Sequence, residues 1–452
     1  ATVDGGLRSA EGGGTVSALR LNGHEYTGIS FDGRMDDGRL RASLRTEDSA
    51  LESDAVAVIG FGGAERTYDA VVNIGKADLF AMNVNRRDSV SVLSASIGLS
   101  AHGDSLDAMN GELSIADAVY RQGASEIDSD IVSVTVESNE DTRTVKLTSD
   151  FADAVFECRS PYGDVAYYLK NLLNRYVPAM YDDSDRRTIE RRSEDLRRNI
   201  ALLSVTTKRL DPLLGCITGE DGLEVSEGTL VQVFMNPTNN RFVMRGRSDF
   251  IAKDRYMATE LKLNIDNRND SLAMRLSAAD LYAGTLHLSN VGVDGGAKDN
   301  GVDISGSFAD SVRNVQGRLA ARSVISRHDG MRRIAVRLLP SFVSRGDEVW
   351  NISSDGIDID SSRIAVRRFF VRSANQEMYM NGVASRSAND SLVMKLRNFE
   401  LSPFTQVANR MGYEIGGRTT GFAKVKSALR DSEIDAHILL DSVDVNGIRI
   451  PN

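Results

Sequence analysis

The chain has 452 residues, a formal net charge of −10 and a pI near 5.2. Neutralising nucleic-acid phosphates requires a concentrated basic surface, so this acidic composition argues against a nucleic-acid partner. Pro is scarce at 7 residues and Gly is frequent at 39, which is typical of many short strands joined by tight turns. The sequence contains no run of about 18 apolar residues, so we expect no transmembrane helix in this chain.

A polar turn that ends in Asp-Ser precedes a strand-like segment three times, at Asp88-Ser89, Asp270-Ser271 and Asp390-Ser391. Asp and Ser favour turns because their side chains bond to nearby backbone, and the alternation that follows sends one set of side chains to each face of a sheet. Residues 15–160 also indicate successive strands. A repeated hairpin predicts a repetitive sheet that offers a long surface rather than one catalytic pocket.

One amphipathic helix is predicted between Asp164, a plausible cap, and Val177, with Pro178 directly after it. Its stripe of Tyr168, Leu172 and Tyr176 is expected to pack against the sheet and to plug or cap its trough. The charge-rich stretch 182–198 indicates a solvated loop or an exposed helix. We therefore expect a first β-repeat segment at 1–160, a helical and charged insertion at 161–209, and a second β-repeat segment at 210–452 that is continuous with the first.

A second repeat combines a strand, a short helix, a Gly break and another strand. Its first copy is Leu210–Leu213 followed by Gly222, and its second is Leu401–Phe404 followed by Gly412. In the second copy, helical spacing relates Phe404, Val407, Ala408 and Met411, and Gly412 ends the helix.

The strands of the second β-repeat segment alternate between apolar and polar residues, which predicts a sheet with one apolar face. The residues predicted to share this face as one continuous wall are Leu261, Leu263, Ile265, Leu272, Met274, Leu276, Leu286, Leu288, Leu392, Met394, Leu396, Ile434 and Ile438. The fold class is thus all-β, mainly antiparallel and repetitive. An apolar face of this kind is also typical of a sandwich core closed by a second sheet, and that alternative stays open.

No constellation of residues indicates catalysis, a metal site or a cofactor. The five histidines are scattered and lack metal-ligand spacing. The glycine-rich segment Gly60–Gly63 precedes a strand pattern rather than a helix, so it does not predict a dinucleotide loop. Cys158 and Cys216 are expected to be buried thiols, and the sequence does not decide whether they pair. We therefore expect a protein that is not an enzyme.

The order of several loose motifs resembles the β-repeat portion of the TamB-like proteins of Bacteroidota, which belong to the wider AsmA-like group. The segments that carry this resemblance across almost the whole chain are Leu21–Gly33, Ala77–Ser89, Gly111–Tyr120, Tyr167–Pro178 and Ser271–Val291. The family's amino-terminal membrane anchor and its carboxy-terminal domain are not found here, and the chain begins at Ala1 without a signal segment. We therefore expect a mature protein or an internal fragment.

The resemblance implies an elongated, strongly curved sheet with an apolar inner wall, in the periplasmic portion of an inner-membrane-anchored envelope protein. It also implies phospholipid transport between the two membranes of a Gram-negative envelope, and outer-membrane biogenesis. The implied partners are phospholipid, an outer-membrane BamA-type barrel and the inner membrane, the last two through parts that are not in this chain. The alternative is a scaffold in a translocation and assembly module, which would take up strands of outer-membrane or secreted proteins by β-strand addition. A closed, adhesin-like sheet without a ligand is a third possibility.

Overall fold

A computed structural model of the chain describes residues 9–159, 161–195, 200–218, 222–284, 286–310, 312, 314–328, 330–400, 415–445 and 448–449. The chain forms two compact units, each described here by itself. Unit 1 comprises Ala1–Ala166 and Leu196–Asp254, and unit 2 comprises Tyr167–Asp195 and Arg255–Asn452. These units do not coincide with the segments 1–160, 161–209 and 210–452, because the strands between the insertion and Asp254 belong with the first strands of the chain.

Unit 1 is a run of antiparallel strands in which most strands pair with their neighbours in sequence. The strands are β1 (Ser9–Leu21), β2 (His24–Asp36), β3 (Arg39–Glu47), β4 (Leu51–Gly60), β5 (Thr67–Asp78), β6 (Ser91–His102), β7 (Asn110–Gln122), β8 (Ser125–Ser138), β9 (Arg143–Ser149), β10 (Ala152–Cys158), β11 (Ala201–Thr207), β12 (Leu223–Val225), β13 (Leu230–Asn236) and β14 (Arg241–Lys253).

Unit 2 is also built from antiparallel strands. They are β15 (Tyr256–Asp266), β16 (Leu272–Ala283), β17 (Leu286–Lys298), β18 (Gly301–Asp310), β19 (Val315–His328), β20 (Met331–Leu338), β21 (Ser341–Arg345), β22 (Glu348–Ser353), β23 (Gly356–Asp360), β24 (Arg363–Arg372), β25 (Glu377–Ser385), β26 (Ser391–Glu400), β27 (Ile415–Lys426), β28 (Glu433–Val445) and β29 (Ile448–Arg449).

Helices are few among the described residues. They are α1 (Tyr162–Tyr176), α2 (Asp183–Asp195), α3 (Asp211–Thr218) and the 3₁₀ turns Leu106–Ala108, Pro178–Met180 and Pro237–Asn239. The predicted amphipathic helix is present as α1, and the charge-rich stretch contains the mostly exposed helix α2. The first predicted short helix is α3, whereas its second copy at Phe404–Gly412 lies outside the described residues.

Turn chemistry explains the tight hairpins. Asn22-Gly23, between β1 and β2, has φ values of 52° and 83°, and Asp37-Gly38, between β2 and β3, has 43° and 75°. Two-residue hairpins need positive φ at both positions, and these dipeptides adopt it at low cost. The Asp270-Ser271 and Asp390-Ser391 copies lead directly into β16 and β26. The all-β, mainly antiparallel and repetitive fold class is therefore confirmed.

Buried apolar residues are few among the described residues, and some of them form a local cluster. This cluster, in unit 1, joins Ile127, Phe151 and Cys216, against which the partly buried Leu213 of α3 also packs. Both cysteines are buried free thiols, as expected. Because so few apolar residues are buried, most of the sheet keeps its apolar side chains at the surface, and this surface is the candidate site.

Candidate functional site

Unit 1 carries uninterrupted rows of apolar side chains across its strands. Directly paired residues in neighbouring antiparallel strands lie on the same face, so the register identifies each row. The first row, from β1 to β14 without β12, is Ala10, Met35, Leu40, Ile59, Tyr68, Ala101, Gly111, Val136, Val145, Phe156, Leu203, Val233 and Met244.

A second row runs two positions away on the same strands, and therefore on the same face. It consists of Gly12, Gly33, Ala42, Ala57, Ala70, Leu99, Leu113, Val134, Leu147, Ala154, Val205, Val231 and Gly246. Neither row contains a charged residue. We call the face that bears these rows the apolar face of unit 1.

The opposite face of unit 1 is polar along the row that lies between these two. That row consists of Glu11, Arg34, Arg41, Val58, Asp69, Ser100, Glu112, Thr135, Lys146, Val155, Ser204, Gln232 and Arg245. Two hollows on this polar face, of about 580 and 400 Å³, are each lined by four strands. The strands of unit 1 thus keep one face apolar, whereas the opposite face is mixed and carries short apolar runs such as Leu202, Phe234 and Val243.

Unit 2 has an apolar face of the same kind. Its longest row crosses β16, β17, β18, β19, β20, β23, β24, β25, β26, β27 and β28. It consists of Leu272, Ala297, Val302, Ser323, Val336, Ile357, Val366, Gly382, Leu392, Val425 and Ile434. Two shorter rows are Ile265, Met274, Gly295, Ile304, Ala321 and Leu338, and Val371, Met378, Leu396, Gly421 and Ile438.

Ion pairs occupy the other face of unit 2. Arg275 Nε bonds Asp294 Oδ1 at 2.8 Å, and Arg322 Nε bonds Asp303 Oδ1 at 2.6 Å. The hydrogen bond that Arg322 donates lowers the pKa of the Asp303 carboxyl, and the hydrogen bond that Arg275 donates to Asp294 raises the pKa of Arg275. Because these groups are solvent-exposed, their main effect is solubility rather than stability.

The apolar rows are exposed to an extent that a closed core does not permit. Every residue of the two unit 1 rows is half-buried or exposed; in unit 2, only Val366 of the longest row and Leu396 of the shorter rows are buried. Ile304 is 49% exposed on this face. In a sandwich, a second sheet covers such side chains, but the described strands of each unit belong to one hydrogen-bonded sheet. The apolar faces are therefore accessible.

Most residues of the predicted wall fall on these rows. Leu263 pairs with Leu276, and Ile265 pairs with Met274. The other members placed on the rows or beside them by alternation are Leu261, Leu272, Leu392, Met394, Leu396, Ile434 and Ile438.

Leu286 and Leu288 lie apart from this group. They pair with Ala283 and Leu281 of β16. Between Leu276 and Leu281 the ladder of β16 and β17 skips Ala279 and Asn290, and Asn290 has a positive φ of 50°, so regular alternation is interrupted before these two leucines. The two leucines are therefore not members of the rows defined above.

The predicted plug residues of α1 are buried: Tyr168 is 3% exposed, Leu172 4% and Tyr176 2%. Burial raises the pKa of Tyr168 to about 12. The helix end is held by the turns of unit 2. Asn267 Nδ2 donates to the Tyr176 hydroxyl at 3.2 Å, and Asn300 N–H donates to the Tyr176 carbonyl at 3.0 Å.

Asn300 is the central part of this attachment. Its Oδ1 accepts the Ala179 N–H at 2.7 Å, and its carbonyl accepts the Ile325 N–H at 2.9 Å. It has a positive φ of 64°, which Asn tolerates better than most residues. The attachment fixes the end of α1 to the turn between β17 and β18 and to β19.

The rows of unit 1 were missed by sequence reasoning. Gly12, Gly33, Ala42, Ala57 and Ala70 follow one another across five strands, and such small residues contribute little to a hydropathy pattern. The sequence feature that could have indicated these rows is the occurrence of apolar residues at every second position of a strand, as in Leu40, Ala42 and Leu44 of β3.

A group in unit 2 has the residue types of a catalytic triad but a different geometry. The Nε2 of His287 lies 2.7 Å from Asp280 Oδ1 and 3.5 Å from the Ser289 hydroxyl. In a triad the acid and the nucleophile contact opposite ring nitrogens, whereas here both approach the same one. The Ser289 hydroxyl donates to Asp280 at 2.8 Å, and this bond, followed by that of His287, lowers the pKa of Asp280.

Within the described ranges, no group of His, Cys, Asp and Glu side chains is arranged to hold a metal ion. The same residues include no helix long and apolar enough to cross a membrane. Comparisons with protein-family models, with curated proteins and with solved structures found no match for this chain.

Proposed function

We propose that the chain conducts phospholipid acyl chains along its apolar faces, as the periplasmic portion of an envelope protein that bridges the inner and outer membranes and supports outer-membrane biogenesis. The observation that carries the proposal is the set of apolar rows that cross successive strands without a charged residue while remaining accessible. An accessible apolar surface of this extent on a protein indicates a binding surface.

The energetics of lipid transfer favour such a surface. Moving a phospholipid with about 30 chain carbons from a bilayer into water costs roughly 24 kcal/mol of free energy, at about 0.8 kcal/mol for each CH₂. A barrier of that size permits escape on the order of once a day. Rows of apolar side chains remove most of this penalty by contacting the acyl chains in place of water.

The cellular setting of the proposal comes from the resemblance of the sequence to TamB-like proteins. In that setting, parts outside this chain contact the inner membrane and a BamA-type barrel of the outer membrane. No catalytic step is needed, because a conduit changes only the position of the lipid.

The proposal is tested by extracting lipid from the purified chain and identifying it by mass spectrometry. The expected result is phospholipid in stoichiometric amount, lost when Met394 is replaced by Arg on the apolar face. The variant Val393→Arg adds the same charge one position away, on the opposite face, and is expected to retain the lipid. A wild-type chain that carries no lipid, even after incubation with phospholipid vesicles, would contradict the proposal.

A second candidate function, a scaffold that receives β-strands, is favoured by the edge strand β1. Among the described strands β1 pairs only with β2, and almost all of its 13 residues are exposed. An exposed, unprotected edge is a template for strand addition. Crosslinking from Thr15 to an unfolded outer-membrane protein, abolished by Ser17→Pro, would support the scaffold, and the absence of crosslinking would exclude it.

A further inference from the structure

A cleft of about 770 Å³ in unit 2 lies at the end of the apolar face and has no assigned role. Its walls come from the 3₁₀ turn Pro178–Met180, the start of α2, the turn between β17 and β18, and the end of β19. Its volume lies within the range of about 300 to 1,000 Å³ that is usual for small-molecule sites.

Two arginines at this end of the sheet lie directly opposite each other across one hairpin. Arg327 lines the cleft and pairs directly with Arg332 across the hairpin of β19 and β20. Neither guanidinium makes a hydrogen bond or an ion pair with another of the described residues. Like charges opposite each other destabilise a sheet, so the pair has a cost that a bound anion would offset.

A third arginine in the cleft has an unsatisfied donor. The Nε of Arg186 is buried and has no hydrogen-bond partner, and its Nη1 lies 3.8 Å from Asp183 Oδ1, beyond hydrogen-bond distance. A buried donor without a partner indicates a missing ligand or water. Arg186 and Arg327 thus offer guanidinium groups from two walls of the same cleft.

Carboxylates in the same cleft exclude a purely anionic ligand. Asp182, Asp183 and Asp299 also line it, and Asp182 Oδ1 accepts the N–H of Asp185 at 2.8 Å. With arginines and aspartates in one cavity, the complementary ligand carries both a negative and a positive group.

The cleft opens onto a row of isoleucines. Ile325 lines the cleft and pairs with Ile334, which pairs with Ile359, which pairs with Ile364. Arg327 and Arg332 are each two positions from this row, so regular alternation places them on the same face. The charged cavity and the apolar track are therefore adjacent.

We propose that this cleft binds the zwitterionic headgroup of a phospholipid: the phosphate contacts the arginines, a primary ammonium contacts the aspartates, and the acyl chains lie along the isoleucine row. The inference rests on the proposed conduction of phospholipid and adds a headgroup preference to it.

The test compares two lipids with identical acyl chains, phosphatidylethanolamine and diacylglycerol, each with a fluorescent label on one chain. Both are offered to the purified chain in nonionic detergent micelles, and the lipid that co-elutes with the protein is measured. The wild-type chain is expected to prefer phosphatidylethanolamine by on the order of tenfold or more, as the loss of a charge-assisted hydrogen bond implies. Soluble glycerophosphoethanolamine is expected to reduce this preference by competition.

The double variant Arg327→Gln/Arg332→Gln is expected to lose the preference while still loading diacylglycerol, which shows that the apolar face remains intact. Arg337→Gln removes the same charge from β20 on the opposite face and is expected to keep the preference.

Equal loading of both lipids by the wild-type chain, or equal loss of preference in Arg337→Gln, would overturn the headgroup site and leave the conduit standing. If neither lipid loads onto the wild-type chain, the proposed function fails, and the headgroup site fails with it.

Discussion

Placing one carboxylate on the apolar face at Met274 is expected to block lipid passage. Met274 pairs with Ile265 and Gly295, and its Cε lies 3.3 Å from the position that a Cβ at residue 295 would occupy. An Asp at this position finds no cation among its cross-strand neighbours, because Arg275 points to the opposite face and is engaged by Asp294 at 2.8 Å. The carboxylate would therefore meet passing acyl chains unpaired.

The size of the effect follows from the cost of that contact. Desolvating an unpaired carboxylate against hydrocarbon costs several kcal/mol, and a cost of about 3 kcal/mol slows passage roughly 100-fold. The sheet is expected to stay assembled because strand pairing comes from the backbone. The assay is crosslinking of lipid in cells to a photoreactive residue at Leu276, together with outer-membrane integrity.

The matched control is Ala273→Asp, which adds the same charge one position away on the exposed opposite face. It is expected to leave crosslinking and membrane integrity unchanged. Charge reversal at Arg275 or Lys395 is likewise expected to have little effect. If Met274→Asp and Ala273→Asp behave alike while both proteins fold, the reasoning about the apolar face is refuted.

Three further predictions concern stability. Burial opposes the ionisation of Asp48, but hydrogen bonds from His24 and from the N–H groups of Ala50 and Thr27 lower its pKa. The stability that ionised Asp48 contributes is therefore full above about pH 4 and is lost as pH falls. Asp48→Asn should lower the free energy of unfolding by about 2 kcal/mol at pH 7 in urea unfolding, and an equal difference between the two proteins at pH 3 would contradict this. Gly382 has a φ of 125°, and a Cβ at this position would collide with the Ser391 carbonyl oxygen. Gly382→Ala should therefore lower the free energy of unfolding by at least about 2 kcal/mol, whereas Gly296→Ala should not, because a Cβ at residue 296 meets open space. Equal shifts in the melting temperatures of the two variants would contradict the register. Asn300→Gly keeps the positive φ but removes the hydrogen bond to the Ala179 N–H. Hydrogen exchange near the end of α1 should therefore accelerate roughly fivefold. Unchanged protection would show that Asn300 does not attach α1 to the sheet.

Local patterns were sufficient to predict the fold class and α1. The period of two in β15 and β16 and the helical stripe of Tyr168, Leu172 and Tyr176 each depend on residues close in sequence. The rows depend on register between strands that lie far apart in sequence, as in Leu203 against Phe156, and no local pattern encodes register.

Two features of the site lay beyond local reasoning for distinct physical reasons. Leu286 and Leu288 resemble the other wall residues in their own strand, but the irregular backbone at Asn290 lies between them and the rows. The cleft beside Arg327 joins residues from α2, a hairpin turn and β19, which are brought together by the hydrogen bonds of Asn300.

The central claim, that acyl chains lie on the apolar face, is tested most directly by scanning one strand with a photoreactive amino acid. On β26, the half-buried Leu392 and Met394 lie on the apolar face, and Val393 and Lys395 lie on the other. We predict lipid crosslinks at the first two positions and none at the other two. Crosslinks of equal yield at all four positions, or at none, would contradict the account.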